Sequence, residues 1–207
     1  MRHKKDSLIE IILNSEKGHE RLLTRFFAIL LDSDRMFLKD VCEILFKNCS
    51  QATSGFNEIA KDCEVWFDLQ LVREKPWPQP DILIVNPGFW KNSVKEYCYL
   101  IEIKRGARIT NNQIERYLDA LGQLKTGNNK FHGALAVLTD FPPSQNIQPL
   151  HRDLIHFFKD KDLISTAENR LKDCKKKHDR GQPNSPAAYM LSEFLFWCKS
   201  ERKSVHI

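Results

Sequence analysis

The chain has 207 residues, of which 42% are hydrophobic and 29% are charged, and its net charge is +5. This composition is typical of a globular domain with its own core, and it argues against a disordered, collagen-like or disulfide-stapled chain. The longest apolar stretch, residues 22–31, is interrupted by Thr24 and Arg25 and is too short to span a bilayer, so we expect a cytoplasmic protein without a membrane partner.

The six cysteines stand at positions 42, 49, 63, 98, 174 and 198. They include no Cys-x-x-Cys pair, and no histidine lies beside them at zinc-finger spacing. The pattern argues against a zinc or iron–sulfur site and predicts reduced, mostly buried thiols.

Positive charge is concentrated in the second part of the chain. Residues 1–85 carry 12 Lys and Arg against 14 Asp and Glu, whereas residues 86–207 carry 20 against 13. A basic half of this kind suits a polyanionic partner.

Apolar residues at helical spacing predict two helices near the start of the chain. Ser15 can cap the first, which runs to about Leu31, and Ser33 or Asp34 can cap the second. Four apolar residues of the second helix are expected to point inward: Phe37, Val41, Ile44 and Leu45. A polar loop over residues 51–55 follows.

Three strands come next, because the apolar pattern changes from helical to alternating at Glu64. They are predicted over residues 64–71, 81–85 and 97–104. The proline-rich segment 75–80 lacks N–H groups that a central strand needs, so it must be a connection.

Thr110 or Asn111 then opens a helix that runs through Leu124, and residues 133–139 form a fourth strand. Beyond Pro142 the pattern is mainly helical. Three segments are distinguished there: residues 150–158 are ambiguous, residues 174–182 are expected to be a mobile linker, and residues 184–200 form a helix with Pro186 in its first position.

The order helix, strand, strand, strand, helix, strand predicts a single α/β domain over residues 1–207. We expect its core to cover about residues 16–140 and a helical C-terminal extension to cover about residues 143–207.

Three charged residues fall on the second and third predicted strands. Glu102 and Lys104 are two residues apart, so both side chains leave the same face, where burial is costly unless they are paired or bind a ligand. If the two strands pair as a hairpin, Asp81 lies beside Glu102. Two such carboxylates suit Mg²⁺, the carbonyl of Ile103 can add a third ligand, and Lys104 can orient or deprotonate the attacking water.

Pro80-Asp81 followed by Glu102-Ile103-Lys104 resembles the motif of the PD-(D/E)xK nuclease superfamily. Gln113 and Tyr117 on the next helix resemble the Gln-x-x-x-Tyr motif of its RecB-like members, and residues 20–24 resemble the acidic motif of its first helix. The resemblance covers roughly residues 16–140, but the cysteine cluster of iron–sulfur members is missing, so the subfamily stays open.

The resemblance implies a restriction-endonuclease-like fold, with an α-β-β-β-α-β core, a mixed central sheet and helical N- and C-terminal extensions. It implies Mg²⁺ or Mn²⁺ as the cofactor and DNA hydrolysis in defence or DNA repair, with a homodimer or larger assembly as a possible form. The implied catalytic set is Asp81, Glu102, Lys104, Glu20 and Gln113.

Arg105 and Arg108 follow the motif and can contact phosphates, and Tyr117 is assigned to nucleic-acid binding beside them. Simpler interpretations stay open: Glu102 and Lys104 can form a plain salt bridge, and Tyr117 can be a core residue. The function predicted is a metal-dependent DNA nuclease. The alternatives are RNA cleavage and a catalytically silent nucleic-acid-binding or assembly module of the same fold.

Overall fold

The computed structural model describes most of the chain outside its termini and several connections. The described residues are 19–46, 56–67, 79–91, 96–104, 108–125, 131–139, 154–180 and 186–204. Among them, no helix combines the length and the apolar character that a membrane crossing requires.

Helices α1, His19–Ser33, and α2, Arg35–Phe46, meet at Asp34, and the short helix α3, Phe56–Lys61, follows. Asp34 caps α2 as predicted, because its Oδ1 accepts hydrogen bonds from the N–H groups of Met36 and Phe37, each at 3.1 Å. The expected inward residues of α2 are confirmed: Phe37, Val41 and Leu45 are buried, and Ile44 is partly buried against the core.

A five-stranded mixed sheet forms the centre of the molecule. Its strands are β1, Glu64–Phe67; β2, Ile82–Val85; β3, Tyr97–Lys104; β4, His132–Thr139; and β5, Ile155–Phe158. They lie side by side in chain order, with β1, β2 and β3 antiparallel and β3, β4 and β5 parallel. The predicted hairpin of β2 and β3 and the α/β class are therefore confirmed.

Helix α4, Asn111–Lys125, connects β3 to β4 and covers one face of the sheet, where Tyr117 and Leu121 pack on β3 and β4 residues. The other face packs against α1, α2, α5, Asp160–Asp179, and α6, Pro186–Ser204. Because successive strand residues point to opposite faces, Leu100 and Glu102 belong to the α4 face, and Ile101 and Ile103 belong to the other.

The structure resolves one segment of the C-terminal part that the sequence left ambiguous, and it shows that one prediction there was wrong. The ambiguous segment 150–158 contributes the strand β5, and residues 174–179 of the expected mobile linker continue helix α5. A four-residue strand is too short for its period to show in the sequence. The lysine-rich end of α5 is exposed, so it has no apolar stripe that would mark it as a helix. Helix α6 begins at Pro186, as predicted.

Arg170 of α5 links this helix to the junction of α1 and α2 through Asp34. Its Nε and a terminal nitrogen donate to the two carboxylate oxygens at 2.8 and 2.9 Å. The Asp34 side chain is 3% exposed, so this pair is one of the polar links inside the helical side of the core.

Candidate functional site

The candidate site lies where β3 ends and β2 begins. The register pairs Ile82 with Ile101, so Asp81, one residue before β2, lies opposite Glu102. Side chains opposite each other on antiparallel neighbours share a face, with Cβ atoms about 4.5–5.5 Å apart. The structure thus brings Asp81 and Glu102 together on the face that α4 covers, next to Lys104.

The backbone at this point explains why an aspartate follows a proline. Ile103 points its N–H toward β2 and donates it to Oδ2 of Asp81 at 2.6 Å. The residue opposite Ile103 in the continued register is Pro80, which has no N–H to return to the Ile103 carbonyl. In an antiparallel ladder the N–H and C=O of one residue point to the same neighbour. The Ile103 carbonyl therefore faces the Asp81 side of the hairpin.

Glu102 is the centre of the site and is 2% exposed. Its Oε1 accepts from Nζ of Lys104 at 2.7 Å and from Nε2 of Gln113 at 3.3 Å. Its Oε2 accepts from the hydroxyl of Tyr117 at 2.6 Å. A buried carboxylate without partners costs several kcal/mol, and here three side chains offset that cost.

Lys104 lies between Glu102 and solvent. Its side chain is 22% exposed, against 3% for that of Glu102. On the neighbouring strand the register places Thr139, a buried polar residue, beside Lys104. The ammonium group is therefore held by Glu102 and, being partly exposed, can still reach a molecule that enters from the edge of the sheet.

Tyr117 links β3, which carries Glu102, to the segment before β2 that carries Asp81. Its hydroxyl lies 2.6 Å from Oε2 of Glu102 and 2.9 Å from the carbonyl oxygen of Gln79, two residues before Asp81. Burial, together with the charge and hydrogen bond of Glu102, raises the pKa of the Tyr117 phenol, so it is protonated at neutral pH and acts as a donor.

Helix α4 starts at the site because Thr110 caps it. The Thr110 Oγ1 and carbonyl accept from the N–H of Gln113 at 3.2 and 3.1 Å. Gln113 and Tyr117 are four residues apart and share one face of the helix, so both side chains reach Glu102. The start of α4 also adds the positive end of a helix dipole on this side of the sheet.

The remaining sequence-predicted residues are placed as follows. Glu20 lies in α1, but its side chain is outside the described part of the structure, as is the whole of Arg105. Arg108 is exposed just before α4. Tyr117 is 1% exposed and directs its hydroxyl at Glu102, so we revise its assignment from nucleic-acid contact to support of the carboxylate.

The sequence interpretation missed two groups. The Gln79 carbonyl gives no signal in a sequence, because any residue supplies a carbonyl. Thr139 did leave a signal: it is a polar residue at the end of the apolar strand β4, and it stands level with Lys104. In parallel strands that end at one edge of a sheet, such residues meet.

The donors gathered here suit a hard divalent cation. Asp81, Glu102 and the Ile103 carbonyl offer only oxygen atoms, which are the ligands that Mg²⁺ prefers, and Mg²⁺ commonly takes just one or two carboxylates. Across the described residues, no group of three or more His, Cys, Asp or Glu side chains is placed to hold a metal. The fit therefore depends on two carboxylates and one backbone carbonyl.

No protein-family model, no curated protein and no solved structure matches the chain. The case for a function consequently rests on the side chains and backbone groups at this edge of the sheet.

Proposed function

We propose that this chain is a Mg²⁺- or Mn²⁺-dependent nuclease of the PD-(D/E)xK type that hydrolyses phosphodiester bonds of DNA. The observation that carries the proposal is the hydrogen bond from Ile103 to the Asp81 carboxylate. It holds Asp81 beside Glu102, with Lys104 on the same face, at the end of β3, where the Lys104 side chain is 22% exposed. Three charged side chains in that arrangement match what phosphodiester hydrolysis requires.

Asp81, Glu102 and the Ile103 carbonyl would hold the cation. When bound, the cation supplies Lewis-acid stabilisation of the phosphoryl group and favours ionisation of the attacking water. The chain contributes the preorganisation: Tyr117 and Gln113 fix Glu102 by hydrogen bonds, so its carboxylate does not have to reorient.

Lys104 would act on the water and on the developing negative charge. Its ammonium lies 2.7 Å from Oε1 of Glu102, and this charge-assisted hydrogen bond fixes the position of the lysine. A protonated lysine can orient a water by donating to it and can stabilise a phosphoryl oxygen. This geometry favours the orienting role of Lys104 over the role of general base.

One observation favours the alternative, a catalytically silent module that binds nucleic acid or assembles with other proteins. Both carboxylate oxygens of Glu102 already accept hydrogen bonds from protein donors, and its charge is balanced by Lys104. Such a closed network is stable without a cation. A silent module need not bind metal, whereas the nuclease must.

Calorimetric titration with Mn²⁺ separates the two functions, and cleavage assays complete the test. Plasmid, linear duplex, single-stranded DNA and RNA are incubated with the protein, with Mg²⁺ and with EDTA. The proposal expects metal binding and cleavage of DNA that stops in EDTA. A protein that binds neither Mn²⁺ nor Mg²⁺ and leaves all four substrates intact is not a nuclease of this type.

A further inference from the structure

The C-terminal end of α5 stands apart from the core. The first half of the helix buries Leu163, Ile164 and Ala167, and Cys174 is the last residue that packs against the core even in part. Residues 175–178 are all exposed. Because an α-helix completes a turn in about 3.6 residues, these four side chains point in every direction around the axis. The helix is therefore exposed to solvent all round over residues 175–178.

This exposed end is strongly basic. The nine residues from Lys172 to Arg180 include five Lys or Arg and two Asp. Lys172, Lys176 and Arg180 are spaced by four and form one stripe, which spans about 12 Å along the axis. Asp173 lies 3.6 Å from Lys176, but their side chains are 58% and 70% exposed, and a surface pair of this kind neutralises little.

Helix stability accounts for only part of this charge. Cations in the last turn interact favourably with the helix dipole, an effect that falls off within that turn. Lys172 lies eight residues before Arg180, outside the reach of that effect. A helix end that is polar on every side also gains nothing from burial, so a partner that takes up several cations at once explains the stripe better.

The stripe lies about one helix length from the edge of the sheet that carries Lys104, at the end of a helix on the face opposite to α4. The parallel strands β3, β4 and β5 end at the same edge of the sheet, and this edge carries Lys104. Helix α5 starts directly after β5, at that edge, and runs away from it. From Asp160 to Asp179 the helix covers about 28 Å, a length equal to roughly eight steps of B-form DNA at 3.4 Å each.

We infer that the stripe of Lys172, Lys176 and Arg180 binds the phosphate backbone of the nucleic-acid substrate outside the segment that is cut. The inference rests on the proposed function in taking DNA as that substrate. Three cations on one side of a helix contact phosphates without reading bases. The stripe therefore adds affinity for long substrates, independent of sequence, while the chemistry stays at Asp81 and Glu102.

The test measures DNA binding by fluorescence anisotropy in EDTA over a range of salt concentrations, so that cleavage plays no part. The variant is Lys172→Gln, Lys176→Gln and Arg180→Gln combined. A matched control removes the same charge from exposed lysines elsewhere, as Lys61→Gln, Lys91→Gln and Lys125→Gln. A third protein, Lys172→Arg with Lys176→Arg, keeps the charge of the stripe.

On a duplex of about 30 base pairs, the slope of log affinity against log salt should fall by about 0.9 for each phosphate that the variant no longer neutralises. The charge control and the arginine variant should keep the slope of the unaltered protein.

Equal slopes for the glutamine variant and the control on the long duplex overturn the inference, whether or not the protein cuts DNA. An unaltered protein that fails to bind the long duplex overturns it too. If the slope changes as expected but no cleavage occurs with Mg²⁺, the stripe is retained and the nuclease proposal fails. Circular dichroism of each variant confirms that α5 is intact.

Discussion

The hydroxyl of Tyr117 lies 2.6 Å from Oε2 of Glu102 and 2.9 Å from the Gln79 carbonyl, so one phenol touches both β3 and the segment that leads into β2, which together carry the proposed metal ligands. Removing that hydroxyl leaves the ring in the core and both carboxylates in the chain. The same phenol is buried beneath the site, so any effect of its loss on DNA must pass through Glu102 or through the Gln79 segment that leads to Asp81.

Tyr117→Phe should therefore weaken Mn²⁺ binding by about 10- to 100-fold, the usual effect of losing a group that orients a metal ligand. Turnover should recover at high Mn²⁺, because the ligands themselves remain. Calorimetry and cleavage at several metal concentrations check both points. Tyr97→Phe is the control, since the Tyr97 hydroxyl bonds the Asp62 carbonyl on the other face of the sheet. Unchanged metal affinity in Tyr117→Phe would contradict the role given to this phenol.

Asp81→Asn and Glu102→Gln should each abolish Mn²⁺ binding and cleavage together. The amide side chains keep the shape of the carboxylates, and the Asn oxygen can still accept from Ile103, so the fold should stay intact. What each variant loses is one of two anionic ligands. Glu115→Gln, on the exposed side of α4, serves as the control. Full cleavage by either site variant would remove the proposed site.

Lys104→Ala should lower kcat by about 10²- to 10⁴-fold while metal and DNA binding change little, because Lys104 pairs with Glu102 and, in the proposed mechanism, acts on the water and the phosphoryl group without being a metal ligand. Lys104→Arg should not restore the rate, since the planar guanidinium does not fit a site made for a compact ammonium. Single-turnover cleavage in Mg²⁺ and DNA binding in Ca²⁺ separate the two effects.

Arg108→Ala gives the matching contrast to Lys104→Ala. The Arg108 side chain is exposed beside the start of α4 and was predicted to contact phosphate. Its loss should weaken DNA binding and leave the rate at saturating DNA unchanged.

A Lys104→Ala protein that cuts within about threefold of the unaltered one, well below the effect of a water-positioning group, would refute the mechanism.

Asp34→Ala should lower the free energy of unfolding by up to about 3–5 kcal/mol, because it leaves the partly buried Arg170 guanidinium without its carboxylate. The loss includes the cap of α2, which alone contributes about 0.5–2 kcal/mol. Asp34→Asn keeps a capping oxygen and should be less damaging. Urea unfolding measures the free energy of unfolding of both Asp34 variants and of a control, Asp32→Ala. Asp32 is a suitable control because it is 58% exposed in its pair with Arg35. A loss no larger than that of the control would show that the pair contributes little.

The hairpin of β2 and β3 could be predicted because its residues obey two local rules. Ile82 to Val85 are β-branched or aliphatic in an unbroken run, and Glu102 and Lys104 interrupt the apolar residues of β3 at a spacing of two. The convergence of Asp81 with Glu102 followed from these rules. Asp34 was equally accessible, since a helix cap is a local feature.

The partners of Glu102 and the end of the sheet could not be predicted in the same way. The direction of the Tyr117 side chain depends on how α4 lies across the sheet, which is a tertiary property, and the sequence allowed either a core or a binding role. Strand β5 is an edge strand of four residues whose pairing with β4 is what defines it. Its residues carry no period long enough to be recognised.

Pro80 ends the backbone pairing of β2 with β3. Any other residue at this position would place an N–H opposite the Ile103 carbonyl. The two strands could then form one more backbone hydrogen bond, which would stabilise the hairpin by about 0.5–1.5 kcal/mol. Proline cannot donate that hydrogen bond, so the pairing of the two strands ends here and the Ile103 carbonyl faces the space between them. Pro80 therefore ends the pairing of β2 and β3 next to the space between the Ile103 carbonyl and the carboxylates of Asp81 and Glu102.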